Sequence, residues 1–255
     1  MFRVAIPARY GSTRLPGKPL ALLAGTPMIL HVHRLALRSG AQEVVVATDD
    51  ERIRAVCSAA GAEVEMTSPR LPSGTDRIAE LVRLRGWAGD SVVVNVQSDE
   101  PMLPPGLIRQ AAELLARDAG ASIATLSAPV ETLGEYLDPN VVKVVTTSAG
   151  RALYFSRAPI PWHRDGASAG LASQTRFRGA RRHIGIYAYR VEALGRLAAE
   201  APSTLERAES LEQLRALQLG LTIAVGDATE RPGPGVDTAD DLAHVERLLR
   251  EGRRP

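Results

Sequence analysis

At 255 residues, with 45% apolar and 24% charged side chains, the chain has room for one large α/β domain with a substantial core, or for such a domain with a small added lobe. Its 31 basic and 29 acidic residues leave a net charge of +2, which argues against nucleic-acid binding, and the single cysteine excludes an intramolecular disulfide or a cysteine metal cluster. No run approaches the roughly 18 apolar residues of a membrane span.

That cysteine, Cys57, falls in the apolar helical pattern of Ile53, Val56 and Ala60, where a small buried side chain fits better than a nucleophile. The chain opens on a strand-like run and not on a charged leader with a long apolar segment. Together these features predict a protein of the reducing cytoplasm, with neither a membrane nor a nucleic acid as partner.

In the first half, short β-rich runs alternate with helical patterns. Residues 2–8 read as a buried strand that stops at a Gly-, Arg- and Pro-rich loop, 9–19. Helical spacing follows over 28–38, a strand over 43–48, a helix over 50–60 and a short strand over 63–66. A polar loop with Pro69, Pro72 and Gly74 leads to a helix over 75–85, and 91–97 is an apolar run of strand length. Such alternation predicts right-handed crossovers and a parallel sheet covered on both faces, whose ligands bind beyond the carboxyl ends of the strands. Those ends are 7–9, 48–49 and 97–99.

The second half is less regular. Strands are predicted over 121–129, 141–146 and 151–156, the last two pairing across 147–150. Residues 158–180 carry no periodicity and read as a long loop or lobe over the sheet edge, of a length usual only where it serves function. A strand over 183–190, a helix over 205–219, a strand over 221–225 and a closing helix over 238–250 complete the pattern. It reads as one domain: a nucleotide-binding half, 1–130, an inserted lobe, 131–225, and a return to the core, 226–255.

The 9–19 loop carries the first chemical signal. Directly after strand one it offers two glycines for close backbone approach and three cations, Arg9, Arg14 and Lys18, which suits a polyphosphate. It is neither a Walker loop nor a GxGxxG fingerprint. The stretch IPARYGSTRLPGKPL resembles the opening of the 3-deoxy-manno-octulosonate cytidylyltransferases, also called CMP-Kdo synthetases. Further segments match that family in order: VVATDD, SGTDR, VVNVQSDEPML, NVVKVV, ALYFSRAPIPW, RHIGIYAYR, ERAESLEQLR and PGVDTADDL. FSRAPIPW together with HIGIYAYR is more specific than the loop.

The resemblance implies a three-layer Rossmann-like fold of the nucleotide-diphospho-sugar transferases, with a mostly parallel sheet and a smaller sugar-side and dimerisation lobe. It implies transfer of CMP from CTP to 3-deoxy-D-manno-octulosonate (Kdo), with pyrophosphate released, Mg²⁺ as cofactor, a homodimer, and a place in lipopolysaccharide synthesis. Apolar material in 181–220 also hints at the dimer. The alternatives are a related acidic sugar, such as 8-amino-Kdo or a sialic acid, and a CTP-binding regulator without activity.

On the same footing, Arg9, Arg14, Lys18 and Asp99 are the expected catalytic residues. Ala8, Arg9, Lys18, Ser73, Gly74, Thr75 and Gln97 are expected to bind the nucleotide, although Ser73 is also a plausible plain helix cap. Asp99 and Asp237 stand at strand-to-loop junctions and are the expected Mg²⁺ ligands, because hard carboxylate oxygens suit that ion. Their alternatives are a turn residue before Pro101 and a residue at the start of the last helix, where Thr238 and Asp241 already form a capping pattern. Arg157 is the expected partner of the sugar carboxylate. His183 and Tyr187 should share one face of a strand, and Glu209 and Gln213 one face of a helix, where they would meet sugar hydroxyls. A core histidine, a packed tyrosine and a surface Glu–Gln pair are the competing readings. One position departs from the family: Ser98 stands where QGDEP has glycine, which would be strained if the site needs positive φ.

Overall fold

Valine-rich runs bounded by polar turns become strands, and the runs with helical spacing become helices that cover them. The chain was studied as a computed structural model, which describes residues 1–11, 15–167 and 169–252. In chain order the elements are β1 (Arg3–Ala8), β2 (Leu22–Leu23), β3 (Thr26–Pro27), α1 (Met28–Arg38), β4 (Glu43–Thr48), α2 (Glu51–Ala59), β5 (Glu63–Met66), α3 (Gly74–Leu84) and β6 (Val92–Asn95). Then come α4 (Pro105–Arg117), β7 (Ile123–Pro129), α5 (Leu133–Leu137), β8 (Lys143–Thr146), β9 (Ala152–Ser156), β10 (Arg181–Arg190), α6 (Val191–Ala199), α7 (Thr204–Glu209), α8 (Gln213–Gln218), β11 (Ile223–Asp227) and α9 (Ala239–Arg250). The helices α4, α5 and α6 and the short strands β2 and β3 are additions to the sequence-based elements.

The central sheet runs β11-β7-β10-β6-β1-β4-β5. Its pairs are parallel except at β10, which is antiparallel to both β6 and β7. Both faces are buried. Ile29, Val32, Ile53, Leu107 and Ile108 cover one, while Ile78, Leu81, Leu194, Leu197 and Leu214 cover the other. A third apolar cluster forms where Val245 and Leu248 of α9 pack with Leu23, Met28, Met102 and Val236. The predicted hairpin is present: β8 and β9 pair antiparallel, and Lys143 joins them to Arg182 of β10 at the sheet's edge.

One expectation needs correction. The helix predicted over 205–219 is broken at Ser210, whose backbone is left-handed (φ 52°, ψ 49°). The break lets Leu211 and Leu214 both turn into the core, and a buried Arg215–Glu206 ion pair ties α8 back to α7 (Nη2 to Oε1, 3.0 Å). Much of the apolar material of 181–220 is core: Ile184, Ile186, Ala188, Leu194, Leu197, Leu211 and Leu214 are buried, while Leu205 is exposed. Large exposed apolar side chains also lie in and after β9, at Leu153, Trp162 and Leu171, and elsewhere at Leu22, Leu37 and Leu84.

No helix among the described residues is long and apolar enough to cross a membrane. Cys57 is buried, and burial pushes its thiol pKa up to about 11, as befits a packing residue.

Candidate active site

Parallel strands place their carboxyl ends on one rim, and the registers Ala8↔Thr48 and Ala5↔Asn95 put the loops after β1, β4 and β6 side by side there. The loop after β11 is brought to the same rim by main-chain ties. Gly233 N–H donates to Met102 O (3.1 Å) and Val236 N–H to Asp99 O (2.9 Å). Glycine is needed for this approach at 233, where a Cβ would sit 2.5 Å from Met102 Cβ, and at 235 a Cβ would press on the Glu100 carboxylate, 2.9 Å from Oε1. The sequence PGPGVD thus delivers Asp237 to Asp99, which lies 138 positions earlier in the chain.

Between the two aspartates sits Lys18. Its Nζ donates to Asp99 Oδ2 (2.5 Å), Asp237 Oδ1 (3.0 Å) and the carbonyl of Val236 (3.1 Å). Burial disfavours the ammonium, but the charges of Asp99 and Asp237 and their hydrogen bonds outweigh it, so the Lys18 pKa is raised. Next to this group, Glu100 is pushed up to about 8, first by burial and then by the neighbouring carboxylates of Asp99 and Asp237. The rim therefore concentrates negative charge and already holds one cation between two carboxylates.

A cavity of about 320 Å³ opens here, lined by Pro7, Ala8, Arg9, Lys18, Ser73, Gly74, Arg77, Gln97, Ser98, Asp99, Glu212 and Asp237 among others. Of the residues expected to meet a nucleotide, it collects Ala8, Arg9, Lys18, Ser73, Gly74 and Gln97. Arg14 lies outside the described residues. Ser73 does cap α3, accepting Asp76 N–H (3.2 Å), so the helix-cap reading holds and leaves Ser73 at the cavity wall as well. Arg77 had no sequence-based role. It is buried, donating to Thr67 Oγ1 (2.5 Å) and Asp49 Oδ2 (2.9 Å), and so brings the end of β4 to the cavity wall.

A second cavity of about 480 Å³ adjoins the first and shares Gly74, Gln97, Glu212 and Asp237 with it. Arg157, His183, Tyr187 and Gln213 line it, as does Thr75, which therefore faces this side and not the first cavity. His183 and Tyr187 do share a face, though for an irregular reason. A bulge at Gly185 and Ile186 shortens the strand, and the two rings come to 5.2 Å between centroids. The Tyr187 hydroxyl is buried without a hydrogen-bond partner among the described residues, and burial pushes its pKa well up. An orphan hydroxyl on a residue that lines a polar cavity is free to hydrogen-bond a ligand there.

His183 Nε2 lies 2.9 Å from Thr125 Oγ1, whose own proton is directed to Ile186 O at 2.7 Å. With the hydroxyl proton on a main-chain carbonyl (Ile186 O, or Ile184 O at 3.2 Å), Thr125 Oγ1 accepts from His183 Nε2–H, and Nδ1 is left as an acceptor. Burial lowers the His183 pKa to about 3. An unfolded histidine titrates near ~6.5, so between those values the unfolded chain binds a proton that the folded chain does not. Stability contributed by the neutral ring is therefore lost as pH falls below about 6.5. Thermal unfolding followed from about pH 7 to about pH 4.5 should show a shallower loss for His183→Gln than for the parent chain.

Glu209 needs correction. Because the helix breaks at Ser210, Glu209 and Gln213 do not share a face. The Glu209 carboxylate is turned to Ser156 Oγ (2.6 Å) and Arg157 N–H (2.8 Å), behind the cavity. The acid that does line it is Glu212, which accepts the Thr75 hydroxyl's hydrogen bond. A hint was available in the sequence: Glu212 precedes Gln213 directly, and a turn before it would expose both.

Comparison with known proteins fits this geometry. A sequence profile described as "Cytidylyltransferase" matches residues 4–223. A curated 3-deoxy-manno-octulosonate cytidylyltransferase of Thioalkalivibrio sulfidiphilus is 54% identical over 98% of this chain and 99% of its own. The chain belongs to the 3-deoxy-manno-octulosonate cytidylyltransferase family. The Halorhodospira halophila member is 52% identical over 99% of this chain and 98% of its own. A solved CMP:2-keto-3-deoxy-manno-octonic acid synthetase complexed with CTP superposes with a TM-score of 0.88, at 39% identity, over 99% of this chain and 100% of that one. A 4-diphosphocytidyl-2C-methyl-D-erythritol synthase shares the fold at a TM-score of 0.63 and 13% identity, over 97% and 98%.

Family membership sharpens the question raised by Ser98. Among the described residues, positive φ at non-glycine positions occurs only at Ala24 and Ser210, so serine carries no backbone penalty at 98. Ser98→Gly should change kcat/KM for CTP by no more than about threefold and stability by under ~1 kcal/mol, measured by pyrophosphate release and denaturant unfolding.

Proposed function

We propose that the chain transfers CMP from CTP to 3-deoxy-D-manno-octulosonate, releasing pyrophosphate. The observation that carries this reading is the pair of adjoining cavities that meet at Gln97, Glu212 and Asp237, the last held with Asp99 by Lys18. In it the anomeric hydroxyl oxygen attacks the α-phosphorus, and the bond to the β-phosphate bridge oxygen breaks.

Such chemistry asks for positioning and charge neutralisation more than for covalent help. Arg9 and Lys18 meet the polyphosphate and offset the charge that gathers on pyrophosphate. Arg157, the Tyr187 hydroxyl, His183 Nδ1, Glu212 and Gln213 orient the sugar acid. Among the described residues no cluster of three or more His, Cys, Asp or Glu could cage a metal. Two carboxylates that already converge on one cation suit Mg²⁺, which takes one or two protein carboxylates and completes its shell with phosphates and water. Asp99 and Asp237 would hold it, and it would supply charge stabilisation at the phosphates and a lower pKa for the attacking hydroxyl.

The test is pyrophosphate release by purified protein with Mg²⁺ and CTP, comparing 3-deoxy-D-manno-octulosonate with its 8-amino analogue, a sialic acid and a no-sugar control. Fastest release with the first acid supports the reading, and faster release with another acid reassigns the substrate. CTP binding without turnover on any acid would make the chain a regulator. We further infer a homodimer of the cytoplasm, supported by the exposed Leu153, Trp162 and Leu171 around β9 and the segment after it. Light scattering in solution checks the mass.

A further inference from the structure

Lys143 is a buried ion that the proposed chemistry does not use. It stands at the start of β8 with none of its surface exposed, and no carboxylate forms a salt bridge with it among the described residues. Its three ammonium protons are used on main-chain carbonyls instead: Asp138 O at 2.9 Å, Val141 O at 2.5 Å and Arg157 O at 2.8 Å. An ammonium removed from water is costly unless all its donors are met, and here they are met by backbone alone.

Two of those carbonyls belong to the 138–141 turn and the third to Arg157. The same turn holds the Arg157 side chain, whose Nη1 donates to Pro139 O (3.0 Å). Its Nε donates to Glu209 O (2.6 Å), and its backbone N–H to Glu209 Oε2 (2.8 Å). Arg157 is thus gripped at its amide, carbonyl, Nε and Nη1. Nη2 takes part in none of the hydrogen bonds found among the described residues, while the residue lines the larger cavity. The neighbourhood leaves one edge of the guanidinium for a ligand and fixes the rest.

We propose that Lys143 is a positioning residue for recognition of the acidic substrate: it locks the 138–141 turn to the Arg157 backbone so that Nη2 is presented to the sugar carboxylate. This rests on the reading of the larger cavity as the sugar-acid site. Lys143 itself touches no substrate. Without the ammonium, three buried carbonyls lose their donor and the turn that carries Pro139 O is released.

The experiment is steady-state pyrophosphate release by the full chain, its Lys143→Met and Arg157→Ala variants, and the double variant. Lys143→Met should raise KM for 3-deoxy-D-manno-octulosonate about ten- to hundredfold while KM for CTP stays within about twofold. The double variant should be no worse than Arg157→Ala alone, since the two act as one unit. In Lys143→Ala, methylammonium chloride should restore part of the sugar affinity where sodium chloride of equal ionic strength does not. A sugar KM unchanged by Lys143→Met, or losses that add in the double variant, overturns the proposal. If Lys143→Met no longer binds CTP, Lys143→Gln takes its place, its amide donating to two of the three carbonyls. Loss of CTP binding in both also overturns the proposal, because Lys143 would then serve the whole fold. A silent Lys143 variant beside a damaging Arg157→Ala sinks the clamp alone, whereas a silent Arg157→Ala sinks the sugar-site reading and the clamp with it.

Discussion

Asp99→Asn and Asp237→Asn should each lower kcat by roughly 10²–10³-fold with little change in the thermal midpoint. Each replacement keeps the shape and removes one of the two negative charges that converge on Lys18 Nζ. A neutral amide is a poor ligand for a hard divalent ion, and the ground-state fold loses little, because Asp237 is half exposed and Asp99 about a third. The measurement is pyrophosphate release across a magnesium titration. The activity of each variant should saturate at a higher Mg²⁺ concentration than that of the parent chain. A variant with parental kcat and an unchanged titration would remove that carboxylate from the metal assignment.

Glu212→Ala should lower kcat/KM for the sugar acid by roughly ten- to a hundredfold, the range expected for a hydrogen-bonded charge at ~1.5–3 kcal/mol. Its carboxylate stands where the two cavities meet and accepts from Thr75 at the start of α3, the helix whose cap, Ser73, lines the nucleotide side. Glu212→Gln should lose less, since the amide oxygen can still accept from Thr75. Kinetics with each substrate varied in turn will separate a sugar-only effect from one on both. Equal activity of Glu212→Ala and the parent chain would leave the boundary between the cavities without a working residue.

Much of this site was legible in the sequence because it is built at strand ends. Parallel strands with buried faces are written as Val- and Ile-rich runs, and the residue just beyond each run must lie on the rim. Ala8, Arg9, Gln97 and Asp99 could be located by that rule alone, and Lys18 by its loop. Asp237 was found as a junction residue, but its nearness to Asp99 depends on main-chain ties at Gly233 and Val236 that no periodicity expresses. The failure at Glu209 has a definite cause. Residues 205–219 carry apolar side chains at helical spacing, and a serine in left-handed backbone is not announced by composition. One such residue exchanged Glu209 for Glu212 in the cavity wall. Helices α4 and α6 do carry amphipathic patterns, while the order of strands across β10 depends on which long connection returns antiparallel, which local pattern does not express.

The alternation argument for His183 and Tyr187 reached the right face of β10 although that strand is not regular, and the reason lies in a count. Gly185 and Ile186 have no ladder partner, and two added residues are one full pleat, so every later side chain keeps its side of the sheet. At Gly185 the cavity wall is bare main chain. Replacing side chains one by one would pass over whatever recognition that peptide provides. Natural variation in it would have to come as insertions or deletions, and in pairs, since a single added or lost residue would carry Tyr187 and Tyr189 through to the opposite layer.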